Sequence, residues 1–238
     1  MTAIDQAFIR AYTDPAQPKF QPAYQVDSFA WPSGCTRLSM VAGDQVERLA
    51  DALVAGLEQG QQVLAMSGCR RGDGCTTLLL CAARRLADRG LRIAILDADF
   101  DNPLLARRLG LLPEAGWEEV LAARLPAGEV TIESVQDRLA VLPLCGELSS
   151  QGGPDRVAGL DVLRKNYDLV LVDLGEFDEG IGDGPTQTMV GWIDAVVLVH
   201  NIRSTSNEEL SRTRRRATEA GFVEAGIVEN FAEARRSA

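Results

Sequence analysis

The residues from 67 to 77 read SGCRRGDGCTT, and their types and spacing suit a loop that binds phosphate. They follow the apolar run QVLAM and lead into LLLCAARRLADRG, so a strand, a glycine-rich turn and a helix are predicted in that order. Gly72 and Gly74 allow successive backbone N–H groups to point into one anion-binding concavity at the start of the helix. Thr76 stands where a hydroxyl group holds Mg²⁺ in such loops.

The cation of this loop is missing. The pattern G-x-x-x-x-G-K-[ST] has a lysine before the last residue, and its ammonium group reaches the β- and γ-phosphates, but this chain has Cys75 there. Loss of one well-placed electrostatic donor commonly lowers a rate by about 10²–10³-fold. Three interpretations stay open: a glycine turn without a ligand, a loop that binds nucleotide without efficient turnover, and an active site in which Arg70 or Arg71 replaces the lysine.

Cys75 itself has two interpretations. A thiol at a helix N-terminus near two arginines is expected to favour its thiolate form and to be redox-active. The simpler alternative is a small residue that fills the space of the lost lysine. For Asp73, too, a simple interpretation is that its side chain faces outward and contributes little to the function of the loop.

Carboxylates end two of the predicted strands. LRIAILDAD (91–99) ends in Asp97 and Asp99, and DLVLVDLG (168–175) carries Asp173 near its end. Ligand sites of open parallel sheets lie at the carboxyl ends of the strands, so these carboxylates are expected near the glycine loop. In phosphate-loop proteins a strand-end aspartate helps to hold Mg²⁺, directly or through water.

The stretch VLAMSGCRRGDGCTTLLLCAARRLADRGLRIAILDADFDNPLLARRLGL resembles the nucleotide-binding core of bacterial tyrosine kinases (BY-kinases), in the MinD/ParA branch with deviant Walker motifs. The resemblance covers roughly residues 44–231 and continues through GWEEVLAARL, LAVLPLCG, YDLVLVDLG, AVVLVHN and GIVENF. It implies ATP or ADP with Mg²⁺ as ligands, with Asp97 and Asp99 as the ancestral catalytic candidates. The implied metal ligands are Thr76, Asp97 and Asp173. The implied cofactor-binding residues are Gly72, Asp73, Gly74, Cys75, Thr76, Thr77 and Asn230.

The departures from the family pattern concern catalysis and assembly. Besides Cys75, Arg70 and Arg71 stand where MinD-type members have Lys-Gly, and LGE follows Asp173 in place of Thr-Pro-Pro. The oligomerisation motif E-x-x-R-x-x-R, expected near residues 44–50, reads DQVERLA. The family's tyrosine-rich tail is not found. The tyrosines of the chain are Tyr12, Tyr24 and Tyr167. The resemblance therefore implies a fold that is kept and a kinase activity that is lost.

Three functions follow as hypotheses. The first is a catalytically degenerate accessory of exopolysaccharide biosynthesis or export, which binds a protein partner such as a membrane polysaccharide chain-length regulator and binds Mg·ATP or Mg·ADP weakly or not at all. The second is a residual ATPase or kinase that uses Arg70 or Arg71. The third is a ParA/MinD-like positioning protein. The first hypothesis places the chain in the cytoplasm, where its partner recruits it to the inner membrane. It leaves open whether the chain assembles into a homo-oligomer.

Composition narrows these hypotheses. With 24 basic and 34 acidic residues, the net charge of −10 disfavours binding to nucleic acid or to an anionic membrane surface. No run approaches the ~18 apolar residues of a membrane helix, so direct membrane insertion is not expected. The five cysteines contain no C-x-x-C pair and are expected to be reduced thiols.

The chain divides into an N-terminal arm rich in proline and aromatic residues (1–43), an α/β domain (44–231) and a short polar tail (232–238). Prolines are expected to prevent a regular helix in the arm, which packs on its own domain or docks a partner. In the domain, apolar strands alternate with amphipathic helices, which predicts a doubly wound, mostly parallel sheet flanked by helices.

Overall fold

The computed structural model describes residues 20–147, 154–177 and 185–232. The expectations for the first nineteen residues and for most of the polar tail lie outside this part of the chain. The helices and strands, in chain order, are β1 (Tyr24–Val26), α1 (Ser33–Val41), α2 (Gly43–Glu58), β2 (Val63–Gly68), α3 (Cys75–Asp88), β3 (Ile93–Asp97), α4 (Leu105–Arg108), α5 (Glu118–Leu121), α6 (Ala127–Val130), β4 (Ile132–Ser134), β5 (Leu139–Leu142), α7 (Asp161–Asn166), β6 (Leu169–Glu176), β7 (Ala195–Asn201), α8 (Asn207–Glu219) and β8 (Glu224–Asn230). Turns of 3₁₀ helix span Pro154–Leu160 and Pro185–Met189.

The described strands form one sheet in the order β1-β4-β5-β3-β6-β2-β7-β8. Every neighbouring pair is parallel except β4 with β5, which is antiparallel. β2, β3 and most of β6 and β7 are buried, because helices cover both faces of the sheet. The predicted doubly wound, mostly parallel α/β fold is therefore confirmed.

Two apolar layers enclose the sheet. One face is covered by α1, α2 and α3, whose buried side chains pack with Leu105 of α4. The other face is covered by α5, α7, the first 3₁₀ turn and α8, with Trp117 among the largest fully buried side chains. No helix within the described ranges is both long and apolar enough to cross a bilayer.

Helix boundaries follow local chemistry. The sequence offers two capping boxes before α8, Thr205 with Glu208 and Ser206 with Glu209, and the structure uses the second. The Ser206 hydroxyl accepts from the Glu209 N–H at 3.2 Å, and the Glu209 carboxylate accepts from the Ser206 N–H at 2.8 Å. The pattern PDRVAGLDVLRKNY predicts a helix over 154–167, but an α-helix forms only in its second half, as α7. Gly159 weakens the first half as a helix former and lies so close to α5 that an added Cβ would be 2.9 Å from Val120 Cγ1.

The prediction of an arm without regular helix is wrong for residues 33–41. Pro32 precedes the first turn of α1, where a missing N–H and a fixed φ do no harm, and no proline follows in the helix. Phe29 and Cys35 are buried in the main core, so this part of the arm packs on its own domain. β1 joins the sheet by pairing with β4, a three-residue strand that the sequence pattern did not reveal.

Asp137 fastens the chain segment before α1 to the sheet. Its carboxylate accepts hydrogen bonds from the backbone N–H of Phe29 (2.8 Å), the indole N–H of Trp31 (2.8 Å) and the hydroxyl of Ser134 (2.5 Å). The guanidinium of Arg84 lies over the Trp31 ring, 4.9 Å from its centroid. Burial opposes ionisation of Asp137, but these three donors outweigh it and lower the pKa of the carboxyl group.

Replacing Asp137 by alanine is expected to lower the free energy of unfolding by about 2–4 kcal/mol, because three donors lose a charged acceptor at once. Since the folded pKa is lowered, the stabilisation is present above the unfolded pKa of about 4 and is lost as the pH falls through the folded value. Urea unfolding at neutral pH measures the change, with the exposed Asp88→Ala as the control. Equal unfolding midpoints for the two variants would contradict the assigned role of Asp137.

Candidate nucleotide site

The glycine loop connects the end of β2 to the start of α3, as the sequence predicts. Gly72 and Gly74 have φ values of 92° and 90°, in the left-handed region that side chains rarely adopt. At Gly74 an added Cβ would also lie 2.4 Å from the side-chain nitrogen of Asn230. The backbone thus needs glycine at Gly74 for both its conformation and the close approach of β8.

Asp73 faces into the protein, so the interpretation of an outward side chain is wrong. It is 1% exposed, and its carboxylate accepts from the Arg70 N–H at 2.8 Å and from the Thr205 hydroxyl at 3.2 Å. These contacts close the loop on itself and tie it to the segment before α8. The predicted place of Asp73 in the cofactor site therefore concerns its backbone, because its side chain is already engaged.

Asn230 holds the loop from the other side. Its amide nitrogen donates to the Asp73 carbonyl at 2.8 Å, and its amide oxygen accepts from the Phe231 N–H at 2.9 Å. Both ends of this amide group are thus used within the protein. Contact between Asn230 and a nucleotide base stays a prediction.

Cys75 lies at the first position of α3 with its side chain buried. Its thiol donates to Asp173 Oδ1 at 3.6 Å. Burial, followed by the charge of Asp173, raises the pKa of this thiol well above its ordinary value. The expectation of a favoured thiolate is therefore wrong, because burial and the nearby carboxylates favour the neutral thiol, while the two loop arginines are exposed at the surface.

The strand-end carboxylates meet as predicted. Asp97 of β3 and Asp173 of β6 are directly opposite each other in the parallel ladder, and both are 2% exposed. The Asp97 carboxylate accepts from the N–H groups of Leu105 (2.9 Å) and Asp99 (3.3 Å). Asp99 packs over Gly175, where an added Cβ would be 2.3 Å from the Asp99 carboxyl carbon.

Crowding of these carboxylates changes their proton affinity. Burial and the charge of Asp173 raise the pKa of Asp97 to about 7 and that of Asp99 to about 6. Burial also raises the pKa of Asp173, although hydrogen bonds from the Thr76 hydroxyl and the Gly175 N–H oppose this effect. The site is short of positive charge, and a cation would relieve the repulsion.

The donor set suits Mg²⁺ in part. Thr76 and Asp173 are in contact and supply the oxygen ligands that Mg²⁺ prefers, and Asp99 lines the cavity beside the loop. Asp97 already accepts two backbone hydrogen bonds, which leaves it better suited to bind through water. In the ranges that the structure describes, no three His, Cys, Asp or Glu side chains are arranged to hold a metal ion by themselves. The nucleotide phosphates would have to complete the coordination shell.

A cavity of about 260 Å³ opens beside the loop, and it reveals a residue that sequence reasoning missed. Arg108, the last residue of α4, lines this cavity together with Arg70 and Arg71, and its charge opposes the rise in the pKa of Asp173. The charge of Arg71 opposes the rise in the pKa of Asp99. Arg70 pairs with Glu209 of α8. Arg108 belongs to none of the motifs, and only its place shortly after the Asp97–Asp99 strand end could have indicated it.

The sheet order, the glycine loop between β2 and α3 and the paired aspartates of β3 and β6 together define the fold of a P-loop nucleoside triphosphatase. Solved structures with this fold include the kinase domain of VpsO, which is 20% identical over 84% of this chain and 95% of its own, with a TM-score of 0.67. The kinase domain of the Escherichia coli tyrosine kinase ETK is 18% identical over 100% of this chain and 99% of its own, also with a TM-score of 0.67.

Cobyrinic acid a,c-diamide synthase from Mycobacterium smegmatis, with a bound ATP analog and magnesium, is 16% identical over 74% of each chain, with a TM-score of 0.59. No protein-family model and no curated protein sequence matches the chain. At these identities the likeness establishes the fold, and the predicted similarity of fold to bacterial tyrosine kinase domains is confirmed.

Proposed function

We propose that this chain is a catalytically inactive P-loop protein of the BY-kinase type that acts by binding a protein partner. The observation that carries the proposal is the contact of the Cys75 thiol with Asp173. Where an active loop places an ammonium group between the metal-binding aspartate and the phosphates, this chain places an uncharged thiol with a raised pKa.

The expected consequence for nucleotide is weak binding. The loop retains its N–H groups and Thr76, which favour a phosphate and Mg²⁺. Asp97, Asp99 and Asp173 repel the same phosphate unless a metal ion intervenes, and the arginines that line the cavity, Arg70, Arg71 and Arg108, are exposed. Mg·ATP or Mg·ADP then serves at most as a structural ligand.

The partner and the setting are inferred from likeness. The fold of the chain is similar to the kinase domains of VpsO and ETK, and the sequence resembles the cytoplasmic partners of polysaccharide chain-length regulators. The proposal therefore places the chain in exopolysaccharide biosynthesis or export, in the cytoplasm, and recruited to the inner membrane by such a regulator. Self-assembly into a homo-oligomer is compatible with it.

The proposal is tested by incubating purified protein with Mg·ATP and measuring phosphate release, followed by mass spectrometry of its tyrosines. We expect no release above that of the Thr76→Ala variant, which removes the metal-binding hydroxyl, and no phosphotyrosine. Turnover that is present in the wild type and absent in Thr76→Ala would contradict the proposal, as would substantial phosphate on Tyr12 or Tyr24.

A second candidate function, a residual ATPase, is favoured by the position of Arg108 at the cavity. Its charge reaches Asp173, so it is better placed than Arg70 to replace the lysine. If turnover is found, Arg108→Ala should abolish it and Arg107→Ala should not, because Arg107 lies on the same short helix and does not line the cavity.

A further inference from the structure

Two of the buried cysteines contact each other across a helix–helix interface. Cys35 lies near the start of α1 and Cys81 in the middle of α3, and each is 3% exposed. The Cys81 thiol donates to the Cys35 carbonyl oxygen at 3.7 Å, and the Cys35 thiol donates to the Thr77 carbonyl oxygen at 3.9 Å, so the two cysteines are neighbours across the interface. The two helices pack side by side here, since a Cβ added at Gly34 would be in ordinary van der Waals contact with Thr77 Cγ2, 3.8 Å away.

A small molecule can reach Cys81 of this pair, beside Cys35. A cavity of about 330 Å³ opens between α1 and α3, and Cys81 forms part of its wall with Thr36, Ser39, Met40, Arg84 and Arg85. Met40 at its edge is 81% exposed, so the cavity opens to solvent. Cys69 and Cys75 are buried elsewhere and Cys145 is exposed.

The two thiols also differ in acidity. The hydrogen bond from Cys81 lowers the pKa of Cys35, and although burial opposes this, the charges of Arg108 and Arg84 add to it. The same hydrogen bond, together with burial, raises the pKa of Cys81. These shifts favour the thiolate form at Cys35 and the neutral thiol at Cys81 beside it.

We propose that Cys35 and Cys81 form a reversible disulfide when the protein meets hydrogen peroxide or an organic hydroperoxide. The Cys35 thiolate attacks the peroxide oxygen, the O–O bond breaks, and Cys35 becomes a sulfenic acid; hydroxide leaves from hydrogen peroxide, or alkoxide from an organic hydroperoxide, and takes up the Cys35 proton as water or alcohol. Cys81 then attacks the sulfenic sulfur, the S–S bond forms, and a second water leaves with the Cys81 proton. In sum, two thiols and one hydrogen peroxide give one disulfide and two waters.

The crosslink would join the segment before the domain to the helix that begins at the phosphate loop. It would close a long chain loop and so restrict the unfolded state, which stabilises the folded protein. A dithiol such as dithiothreitol would reverse the crosslink by thiol–disulfide exchange: the protein thiols are restored and dithiothreitol becomes the disulfide. This inference does not rest on the proposed function, since it concerns a different pair of helices and needs no nucleotide or partner.

The test is a thiol count on the whole protein. Reduced protein is treated with hydrogen peroxide at neutral pH, denatured in N-ethylmaleimide, and weighed by mass spectrometry without reduction. The five cysteines of the reduced chain should give five N-ethylmaleimide adducts, and the oxidised chain should give two fewer. We also expect a crosslinked peptide that joins Cys35 to Cys81, and recovery of all five adducts after dithiothreitol. The oxidised protein should melt roughly 5–10 °C higher than the reduced protein.

Matched variants make the result specific. Cys145→Ser should still form the crosslink, whereas Cys35→Ser and Cys81→Ser should not, and Cys81→Ser should instead show a dimedone adduct at Cys35. The proposal is overturned if folded wild-type protein keeps all its thiols in peroxide, or if the crosslinked peptide joins other cysteines. The wild-type peptide map decides this even if a variant does not fold.

Discussion

Replacing Cys75 by lysine is expected to raise the affinity for Mg·ATP by about 10–100-fold, the equivalent of one charge-assisted hydrogen bond of about 1.5–3 kcal/mol. The backbone of the loop is already in the left-handed glycine conformations that aim its N–H groups at a phosphate. Asp173 stands beside the new ammonium group and can pair with it before nucleotide arrives, so the buried charge is not left alone.

Isothermal titration calorimetry with Mg·ATP measures this gain, with Cys75→Met as the control for length without charge. The methionine variant should bind no better than the wild type. If the lysine and methionine variants bind alike while both remain folded, the missing charge is not what limits the site. The contacts of Asn230 and Phe231 over Gly74 would then be the next obstacle to examine.

In the absence of metal, the protein is expected to be more stable near pH 5.5 than near pH 8, by on the order of 3 kcal/mol. The folded-state pKa of Asp97 is raised from 3.8 to about 7 and that of Asp99 to about 6, so folding favours their protonated forms. This contribution is fully present below the unfolded pKa of about 4 and is lost as the pH rises through about 6 and 7. Most of this difference in stability comes from Asp97, because Asp99 is partly exposed and solvent weakens its contribution.

Urea unfolding in the presence of a chelator gives the pH profile. Asp97→Asn keeps an oxygen acceptor for the Leu105 N–H but carries no charge, so it should be more stable than the wild type near pH 8 and show a flatter profile. Asp168→Asn is the matched control, because the pKa of Asp168 is lowered by its pairing with Arg92 and its contribution is lost only in acid. A wild-type protein whose stability rises from pH 5.5 to 8 would refute the assigned crowding.

The sequence was a good guide where the signal is local. Continuous apolar runs predicted the central strands, and because parallel strands present their carboxyl ends at one edge, the meeting of Asp97 with Asp173 followed from the pattern alone. The glycine loop and its place before α3 followed likewise. Pro32 was misleading. A proline disrupts the interior of a helix, but Pro32 lies just before the first turn of α1, where proline is compatible with a helix start.

The remaining features depend on contacts between distant residues. Arg108 reaches the cavity only because α4 packs beside the loop, and no motif links it to Cys75. The inward turn of Asp73 depends on Thr205, 132 positions away. The raised pKa of Cys75 reflects burial and the carboxylates of Asp173 and Asp99, which two other segments of the chain bring to it. Spacing along the chain carries no information of this kind.

The fastening of the glycine loop by Asp73, Thr205 and Asn230 has a consequence for how its sequence can be inherited. These contacts hold the loop in shape from within, so a ligand is not needed to order it, and hydrogen exchange at its amides should change little when nucleotide is added. Selection for a folded protein is then enough to preserve Gly74, because any side chain there collides with β8. A lysine at the position of Cys75 is not needed for the fold in this way. A lineage that stops using ATP would therefore lose the lysine first and keep the glycines, which is the pattern that SGCRRGDGCTT displays.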